Sequence, residues 1–240
     1  MTTKLKPGTL EKYKKIATPT IATALYKRGL RNQMIQGVVP LNPSTLPMVG
    51  EAFTLRYIPA REDLNPISVF ADPEHPQRKS VNECPPGAVF VIDSRKDPRA
   101  ASAGNILVTR LMKRGAAGVV TDGGFRDSLE IANLPFPAFH VRPSAPTNLT
   151  LHQALDIDVP IGCGDAPVWP GDIIVGDHDG VIVVPRHMAD ELADECTEMT
   201  VFEDFVAEKV MEGASTIGLC PATTDKTKAD FAAWRKQKGR

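Results

Sequence analysis

Apolar and polar residues along the chain follow both helix-like and strand-like spacings. Residues 8–29 predict two short helices, because a Thr-Pro pair is typical of a helix start and a glycine closes the segment. Residues 52–57 alternate as a half-buried strand does, and residues 88–93 form a continuous apolar run typical of a central strand. Two further apolar runs, 173–176 and 181–184, flank a polar turn and predict a β-hairpin.

Three less regular segments complete the pattern. The segment from Pro59 to Pro86 is polar and rich in proline, and its length favours a functional loop or a flap over a simple connection. From Arg186 to about Gly213, apolar residues recur three and four positions apart, which predicts a long helix. A basic last segment, 225–240, carries Phe231 and Trp234. We expect these two aromatic side chains to pack on the body of the protein or on a neighbouring subunit.

Residues 104–127 are the most informative stretch, because a helix opened by glycine, a buried strand and a charged turn follow one another directly. Residues 117–121 suit a covered strand. The Asp-Gly-Gly at 122–124 tolerates positive φ, so Arg126 and Asp127 are expected on a loop at the carboxyl end of that strand, where open α/β sheets usually bind ligands. The expected apolar stripe of the helix is Ile106, Leu107, Leu111 and Met112.

Composition and charge narrow the classes of function. The 240 residues include 28 Lys plus Arg and 29 Asp plus Glu, and the net charge of −1 offers no basic footprint for nucleic acid or for an anionic membrane. No apolar run approaches the length of a membrane span, and the N-terminus lacks the apolar core of a secretory signal, so a cytoplasmic protein is expected. The four cysteines are widely spaced, which indicates reduced, structural thiols rather than a zinc knuckle or a disulfide framework.

The Arg126-Asp127 pair has two interpretations. It can be an ion pair in which Asp127 caps the helix that follows, since an acid near a helix N-terminus is favourable. Alternatively, Asp127 is an oxygen ligand for Mg²⁺ or Mn²⁺, while the fork of Arg126 binds a carboxylate or keto oxygen of a bound acid. Under that interpretation the free amides of Asn105, Ile106 and Leu107 at the helix start would add an anion site.

Other polar clusters are more typical of structure than of chemistry. His178 lies in the predicted hairpin turn and has no spaced histidine partner for zinc. Glu203 lies on the long predicted helix, where a solvated face is the commoner explanation, and a ligand role stays open. The charges around Arg61 fit a loop tip or, alternatively, a lid over the distal end of a polar substrate. The sequence has no recognisable catalytic triad and no phosphate-binding Gly-x-x-x-x-Gly-Lys motif.

Six short motifs span most of the chain in a fairly specific order. They are Thr18-Pro-Thr-Ile-Ala-Thr-Ala-Leu25, Gly50-Glu-Ala-Phe-Thr54, Pro85-Pro-Gly87, Gly104-Asn-Ile-Leu107, Asp122-Gly-Gly-Phe-Arg-Asp127 and Asp177-His-Asp-Gly-Val-Ile-Val-Val-Pro185. In this order they resemble the RraA-like family, which includes 4-hydroxy-4-methyl-2-oxoglutarate aldolases. The resemblance implies an α/β fold of the swivelling-domain type, an αββα layered sandwich with a mixed sheet. It also implies one domain over residues 1–240, with a helical C-terminal extension over about 186–240, assembled as a homotrimer or a dimer of trimers.

The resemblance further implies roles for individual residues at active sites between subunits. In the family's aldolases, pyruvate sits on the backbone amides of a glycine-opened turn and is contacted by the arginine that matches Arg126. The adjacent aspartate, which matches Asp127, holds a divalent metal, Mg²⁺ or Mn²⁺. A glutamate of the neighbouring subunit joins the site in some members, and Glu203 is the match here. The implied substrate-binding positions are Gly104, Asn105, Ile106, Leu107 and Arg126.

The activity implied by this resemblance is that of a metal-dependent carbon–carbon lyase. It would cleave a 4-hydroxy-2-oxo acid, either a branched oxoglutarate or a 2-keto-3-deoxy sugar acid, to pyruvate plus an aldehyde or ketoacid, with oxaloacetate decarboxylation as a side activity. A competing interpretation is the family's non-catalytic regulator, which binds an RNA-degrading enzyme and has Gln where this chain has Asp127. A sugar-phosphate enzyme with phosphate at the Gly104 helix start is a third option.

Two departures from the family pattern affect the proton transfer. Asn105 stands where these enzymes often have Asp or Glu, and Thr23 stands where the early helix often carries Asp. The base for the 4-hydroxyl proton is therefore expected to be metal-bound water or a carboxylate of a neighbouring subunit. A lysine Schiff base is disfavoured, because Lys113 and the other lysines are expected in exposed, charged surroundings rather than in the desolvated pocket that such a lysine needs.

Overall fold

Seven α-helices and fourteen strands are formed by residues 4–240, the part of the chain that the computed structural model describes. The helices are α1 (Thr9–Tyr13), α2 (Thr18–Lys27), α3 (Pro76–Glu83), α4 (Asn105–Lys113), α5 (Ser128–Ala132), α6 (Ala189–Met211) and α7 (Asp225–Lys238). The strands are β1 (Met34–Ile35), β2 (Val39–Pro40), β3 (Met48–Pro59), β4 (Ala88–Asp93), β5 (Ala101–Ala103), β6 (Gly118–Thr121), β7 (Gly124–Phe125), β8 (Ala138–His140), β9 (Arg142–Pro143), β10 (His152–Ile157), β11 (Ile161–Cys163), β12 (Ala166–Val168), β13 (Ile173–Asp177) and β14 (Gly180–Val184).

A nine-stranded mixed sheet forms the centre of the fold. Its strand order is β1-β14-β13-β3-β4-β6-β8-β2, and β10 also pairs with β3. The central pairs β3–β4, β4–β6 and β6–β8 are parallel, whereas the other pairs are antiparallel. The continuous apolar run of β4 lies in the middle, because a strand covered on both faces needs apolar side chains on both. The predicted α/β class with a mixed sheet is confirmed, and so is the β13–β14 hairpin.

Successive residues of the central strands pack into different layers of the core. Phe90 and Ile92 belong to a cluster with Val108 of α4, while Val89 packs on the opposite face of the sheet with Val168 of β12. A third cluster joins β13 and β14 to α1, α2 and α6. Burying each such side chain is worth roughly 1.5–3 kcal/mol relative to leaving it exposed, so these layers hold the strand ends in place.

The apolar stripe predicted for α4 is wrong at Ile106, which is 79% exposed. Val108 and Leu111 form the buried face instead, and Leu107 and Met112 pack at its edge. Ile106 precedes Val108 by two positions, about 200° around the helix, so both side chains cannot face the sheet. The exposed side chain of Ile106 consequently lies beside the cavity described below.

The C-terminal helices confirm the helical pattern after residue 186. The side chains of Phe231 and Trp234 on α7 pack on α6, in a cluster with Val201, Phe205 and Leu219. The predicted docking therefore occurs on the body of the same chain. It explains how an otherwise polar helix is held to the rest of the structure.

The fold also bears on the expectations for the segment 59–86, for the cysteines and for a membrane span. The segment from Pro59 to Pro86 contains α3 and a 3-10 turn at Ile67–Ala71, so it is partly helical rather than a plain loop. All four cysteines are free, but Cys220 is exposed, which corrects its interpretation as a buried structural thiol. Among residues 4–240, no helix has the length and apolar character needed to cross a membrane.

Candidate functional site

The site is built where the turn after β6 meets the start of α4. Strand β7 pairs with β5 in parallel, with Gly124 opposite Ala101 and Phe125 opposite Ala103. The backbone N–H of Arg126 then donates to the carbonyl of Ala103, 3.1 Å away. This short pairing brings the Arg126-Asp127 pair against the first turn of α4, as the order of motifs predicted.

Buried hydroxyl groups hold that turn in position. The Oγ atom of Ser102 lies 2.6 Å from both Ser94 Oγ and Thr121 Oγ1, and Gly123 N donates to Thr121 Oγ1 at 3.0 Å. A Cβ atom on Gly123 would lie 2.6 Å from Ser94 Cβ, so only glycine fits there. The close packing fixes the path of the chain that leads to Arg126.

Asp122 is part of this support rather than of the site. Its buried carboxylate accepts hydrogen bonds from the backbone N–H groups of Ser94, Lys96 and Gly164 at 2.6, 3.1 and 3.1 Å. Burial raises the pKa of Asp122, and these donors oppose that rise because they favour the charged form. The carboxylate thereby ties two loops to the end of β6.

Asp127 has a left-handed backbone, with φ 54° and ψ 41°, which aspartate tolerates better than most residues. It occupies the N-cap position of α5, as the ion-pair interpretation expects, but its side chain accepts no capping hydrogen bond there. The carboxylate instead turns to α4, where Oδ2 accepts from Asn105 N at 3.2 Å. Arg126 Nε lies 3.5 Å from the same oxygen, and both side chains are nearly half exposed.

Gly104 allows this close approach. A Cβ atom at this position would lie 2.8 Å from both Arg126 Cγ and Asp127 Oδ2. Its φ of −125° is ordinary extended backbone, so glycine is needed for space rather than for conformation. The glycine that opens the helix therefore lets the carboxylate and guanidinium groups reach the helix end.

The amides of the first turn of α4 are not equivalent. Asn105 N donates to Asp127, and Leu107 N donates to the carbonyl of Gly104 at 3.1 Å. Ile106 N donates to no acceptor within the described chain, and it is therefore the amide that is free for a ligand. The side-chain oxygen of Asn105 accepts from Thr109 Oγ1 at 3.0 Å, which turns that carboxamide along its own helix.

A cavity of about 100 Å³ opens beside these groups. Its walls come from α3 and the turn before it, from β5 and the start of α4, from the Arg126-Asp127 pair and from the 3-10 turn at Asn148–Thr150. The lining residues are Phe70, Gln77, Arg78, Ala101, Ala103, Gly104, Ile106, Leu107, Arg126, Asp127, Thr147 and Asn148. Two guanidinium groups and one carboxylate thus share a small space, which suits an acidic ligand.

Sequence reasoning missed several residues of this cavity. Phe70, Gln77, Thr147 and Asn148 belong to no motif, and no local signal distinguishes them, because long-range packing brings their segments to the site. In the sequence, Arg78 is only one charge of the polar segment from Pro59 to Pro86. That segment supplies a wall of the cavity, in agreement with its interpretation as more than a connection.

The remaining candidates lie elsewhere in the subunit. Glu203 is exposed on α6, accepts a hydrogen bond from Thr20 Oγ1 at 2.6 Å and does not line the cavity. Its expected role is in a neighbouring subunit, so it stays a prediction. His178 is exposed in the two-residue turn of the hairpin. Arg61 pairs with Asp63 at 2.7 Å, outside the cavity lining.

The residues of the site fit a magnesium or manganese ion whose ligands come partly from the protein and partly from the substrate. Residues 4–240 contain no group of three or more His, Cys, Asp or Glu side chains that could hold a metal alone. Mg²⁺ in proteins usually keeps several waters and is held by one or two carboxylates plus substrate oxygens. Asp127, 41% exposed beside the cavity, offers one such carboxylate.

Comparison with known proteins finds a family model and relatives that match this chain. The family model RraA-like: Aldolase/RraA matches residues 18–183. A protein of Halalkalibacterium halodurans, named as a candidate 4-hydroxy-4-methyl-2-oxoglutarate aldolase, is 34% identical over 74% of this chain and 76% of its own length. A Thermus thermophilus protein named 4-hydroxy-4-methyl-2-oxoglutarate aldolase is 29% identical over 45% of this chain and 66% of its own length.

The fold is similar to that of solved structures. Streptomyces coelicolor RraAS2, described as an unusual member of the RNase ES inhibitor RraA protein family, superposes with a TM-score of 0.74 at 25% identity, over 85% of this chain and 97% of that one. A Pseudomonas syringae protein superposes with a TM-score of 0.76 at 23% identity, over 90% and 98%. The matched motifs, the fold and these likenesses together identify the chain as a member of the RraA-like family.

Proposed function

We propose that the protein is a class II, divalent-metal-dependent aldolase. It cleaves a 4-hydroxy-2-oxo acid to pyruvate and an aldehyde or ketoacid. The observation that carries the proposal is the meeting of the Asp127 carboxylate and the Arg126 guanidinium at the N-terminus of α4, beside a cavity. The kinship with proteins named as 4-hydroxy-4-methyl-2-oxoglutarate aldolases supports it.

The charges around the start of α4 support binding of a 2-oxo acid. The positive end of the α4 dipole and the free N–H of Ile106 attract the substrate carboxylate. Arg126 packs against Gly104 and lines the same cavity, where its guanidinium would donate to the keto oxygen. The substrate is thereby oriented with its reacting carbons towards the cavity.

Carbon–carbon cleavage moves negative charge onto the keto oxygen. A fixed cation at that oxygen stabilises the transition state more than the neutral ketone, which is the condition for faster chemistry. Arg126 supplies such a charge, and the carboxylate of Asp127 would hold Mg²⁺ or Mn²⁺. The bound metal would supply Lewis-acid polarisation of the same 2-oxo acid group.

The 4-hydroxyl proton must also be removed. Asn105 cannot do this, because a carboxamide is not a base at neutral pH, and its oxygen is directed to Thr109. For this step we propose a carboxylate from an adjacent subunit, with Glu203 as the candidate. This requires the homotrimer or dimer of trimers that the family resemblance implies, and we expect that assembly in the cytoplasm.

Pyruvate release tests the proposal. We would assay a panel of 4-hydroxy-2-oxo acids and oxaloacetate, with Mg²⁺ or with EDTA. Asp127→Asn keeps the left-handed backbone and the acceptor for Asn105 but removes the charge. We expect EDTA to abolish turnover and Asp127→Asn to lower it by on the order of 10²-fold or more. The control Asp63→Asn, on an exposed loop, should leave turnover unchanged.

A second candidate function is a non-catalytic regulator of an RNA-degrading enzyme. The structural likeness to Streptomyces coelicolor RraAS2 favours it. The two functions predict different outcomes of the same assay. Absence of metal-dependent turnover on the whole panel would contradict the aldolase proposal and favour the regulator, whereas full activity of Asp127→Asn would contradict the metal role of that residue.

A further inference from the structure

Arg78 is a cation of the cavity wall without an anionic partner. Its guanidinium donates no hydrogen bond and forms no ion pair within residues 4–240, and its Nε atom is buried. Native structures rarely leave a buried donor unpaired, because the lost contact with water is then not replaced. Because Arg78 also lines the cavity and has no anion of the described chain beside it, an acidic ligand bound there would be its first ion-pair partner.

The position of Arg78 is fixed by its neighbours. The guanidinium lies over the ring of Phe70, with its carbon 4.6 Å from the ring centre. The preceding residue, Gln77, is buried and donates to Tyr57 Oη at 2.9 Å and to the carbonyl of Ser102 at 2.8 Å. Because Ser102 belongs to β5, the strand that leads to Gly104, α3 is fastened to the same structure that carries the reaction site.

None of the charged groups around Arg78 forms an ion pair with it within residues 4–240. Arg126, the other cation of the cavity, lies beside Asp127, and Lys79 pairs with Glu74 at 2.6 Å. Burial and, secondarily, the charge of Arg78 lower the pKa of His75, so this neighbour is neutral at pH 7. A ligand with a single carboxylate at the α4 end would leave Arg78 unpaired.

We propose that Arg78 is a specificity-determining residue, which binds a carboxylate at the far end of the substrate from the reacting 2-oxo acid group. This inference rests on the function proposed above. Of the two substrate classes that the sequence left open, it favours the branched oxoglutarate type over a 2-keto-3-deoxyaldonic acid, because the tail of the latter carries hydroxyl groups and no second carboxylate. Arg78 acts on binding and not on the bond that breaks.

The test compares two ligands that differ only at their far end. 2-Oxoglutarate and 2-oxopentanoate have the same chain length, and a terminal carboxylate of the first is a methyl group in the second. We would titrate each into the full-length protein in the presence of Mg²⁺ and measure the heat of binding. We expect the wild type to bind 2-oxoglutarate about tenfold to a hundredfold more tightly, the range of one charge-assisted hydrogen-bonded contact.

Three variants assign that preference to one side chain. Arg78→Gln should bind both acids equally, with unchanged affinity for 2-oxopentanoate. Arg78→Lys keeps the positive charge but loses the paired N–H donors of the guanidinium. It should therefore recover part of the preference for 2-oxoglutarate that Arg78→Gln loses. Lys79→Gln, the matched control on the next residue of α3, should keep the wild-type preference.

Each outcome bears on the proposal separately. Equal loss of affinity for both acids in Arg78→Gln would overturn it, because a merely structural role acts on both. If the wild type binds both acids without preference, the inference on Arg78 fails while the proposed 2-oxo acid site stands. If it binds neither acid, the proposed function fails as well and the inference fails with it.

Discussion

The position of Asp127 follows from its sequence motif, but the direction of its carboxylate is set by the residues around it. The Asp-Gly-Gly turn predicts that Arg126 and Asp127 emerge on a loop, and they do. The direction of the carboxylate, towards α4 and not α5, could not be predicted, because it depends on the pairing of β5 with β7 across more than twenty residues. At this scale, the proposed chemistry depends on the space that Gly104 leaves.

Gly104→Ala should damage catalysis more than stability. The new methyl group would meet Arg126 Cγ and Asp127 Oδ2 at 2.8 Å, so both groups must shift while the backbone stays relaxed. Misplaced groups of this kind can cost up to about 10²-fold in rate, and we expect kcat/KM for pyruvate release to fall by on the order of tenfold to a hundredfold. Gly162→Ala is the control, since its Cβ would meet nothing within 4 Å. Equal activity of the two variants would contradict the close-approach account.

Helices and strands were largely predictable from apolar spacing, whereas their mutual contacts were not. The strand at 88–93, the hairpin and the helix after residue 186 appear as expected. The error at Ile106 arose because several apolar residues of α4 compete for one buried face, and only the sheet decides which of them are covered. Helix α3 was missed because its sequence, PQRKSVNE, has almost no apolar stripe.

Trp234 should be the main anchor of α7. It is buried against Phe205, with ring centres 5.7 Å apart, on a helix whose other residues are mostly polar. Trp234→Ala removes a large buried ring, a change that typically costs roughly 3–5 kcal/mol. We expect amide hydrogens of residues 225–238 to lose protection in hydrogen exchange. Trp169→Ala, at a ring 56% exposed, should change the free energy of unfolding by less than about 0.5 kcal/mol, and unchanged exchange in both variants would contradict the docking.

At the scale of the whole molecule, folding buries ionisable groups, and burial opposes their ionisation. His140 is buried against the ring of Phe125, with ring centres 5.7 Å apart, and its Nδ1 atom has no hydrogen-bond partner within the described structure. Burial lowers the pKa of His140 to about 4. The folded protein therefore holds this ring neutral over a pH range in which the unfolded chain protonates it.

Acid should destabilise the protein partly through this residue. Between pH 6.5 and 4 the unfolded state binds the extra proton, so the free energy of unfolding falls as the pH falls, by at most about 1.4 kcal/mol per pH unit for one group. In His140→Leu the slope should be flatter, as measured by denaturant unfolding at several pH values. Burial also lowers the pKa values of His75 and His152. Both residues are present in the wild type and in the variant, so their contributions cancel when the two slopes are compared. Identical slopes would show that His140 is not held neutral.

The central claim is that Asp127 holds the metal and that the start of α4 holds the 2-oxo acid. A crystal structure with Mn²⁺ and pyruvate tests it most directly, because the anomalous signal of manganese locates the ion without reference to activity. We predict a manganese peak about 2.1 Å from a carboxylate oxygen of Asp127, with the pyruvate carboxylate at Ile106 N and its keto oxygen facing Arg126. Manganese bound away from Asp127, or pyruvate outside this cavity, would contradict the account.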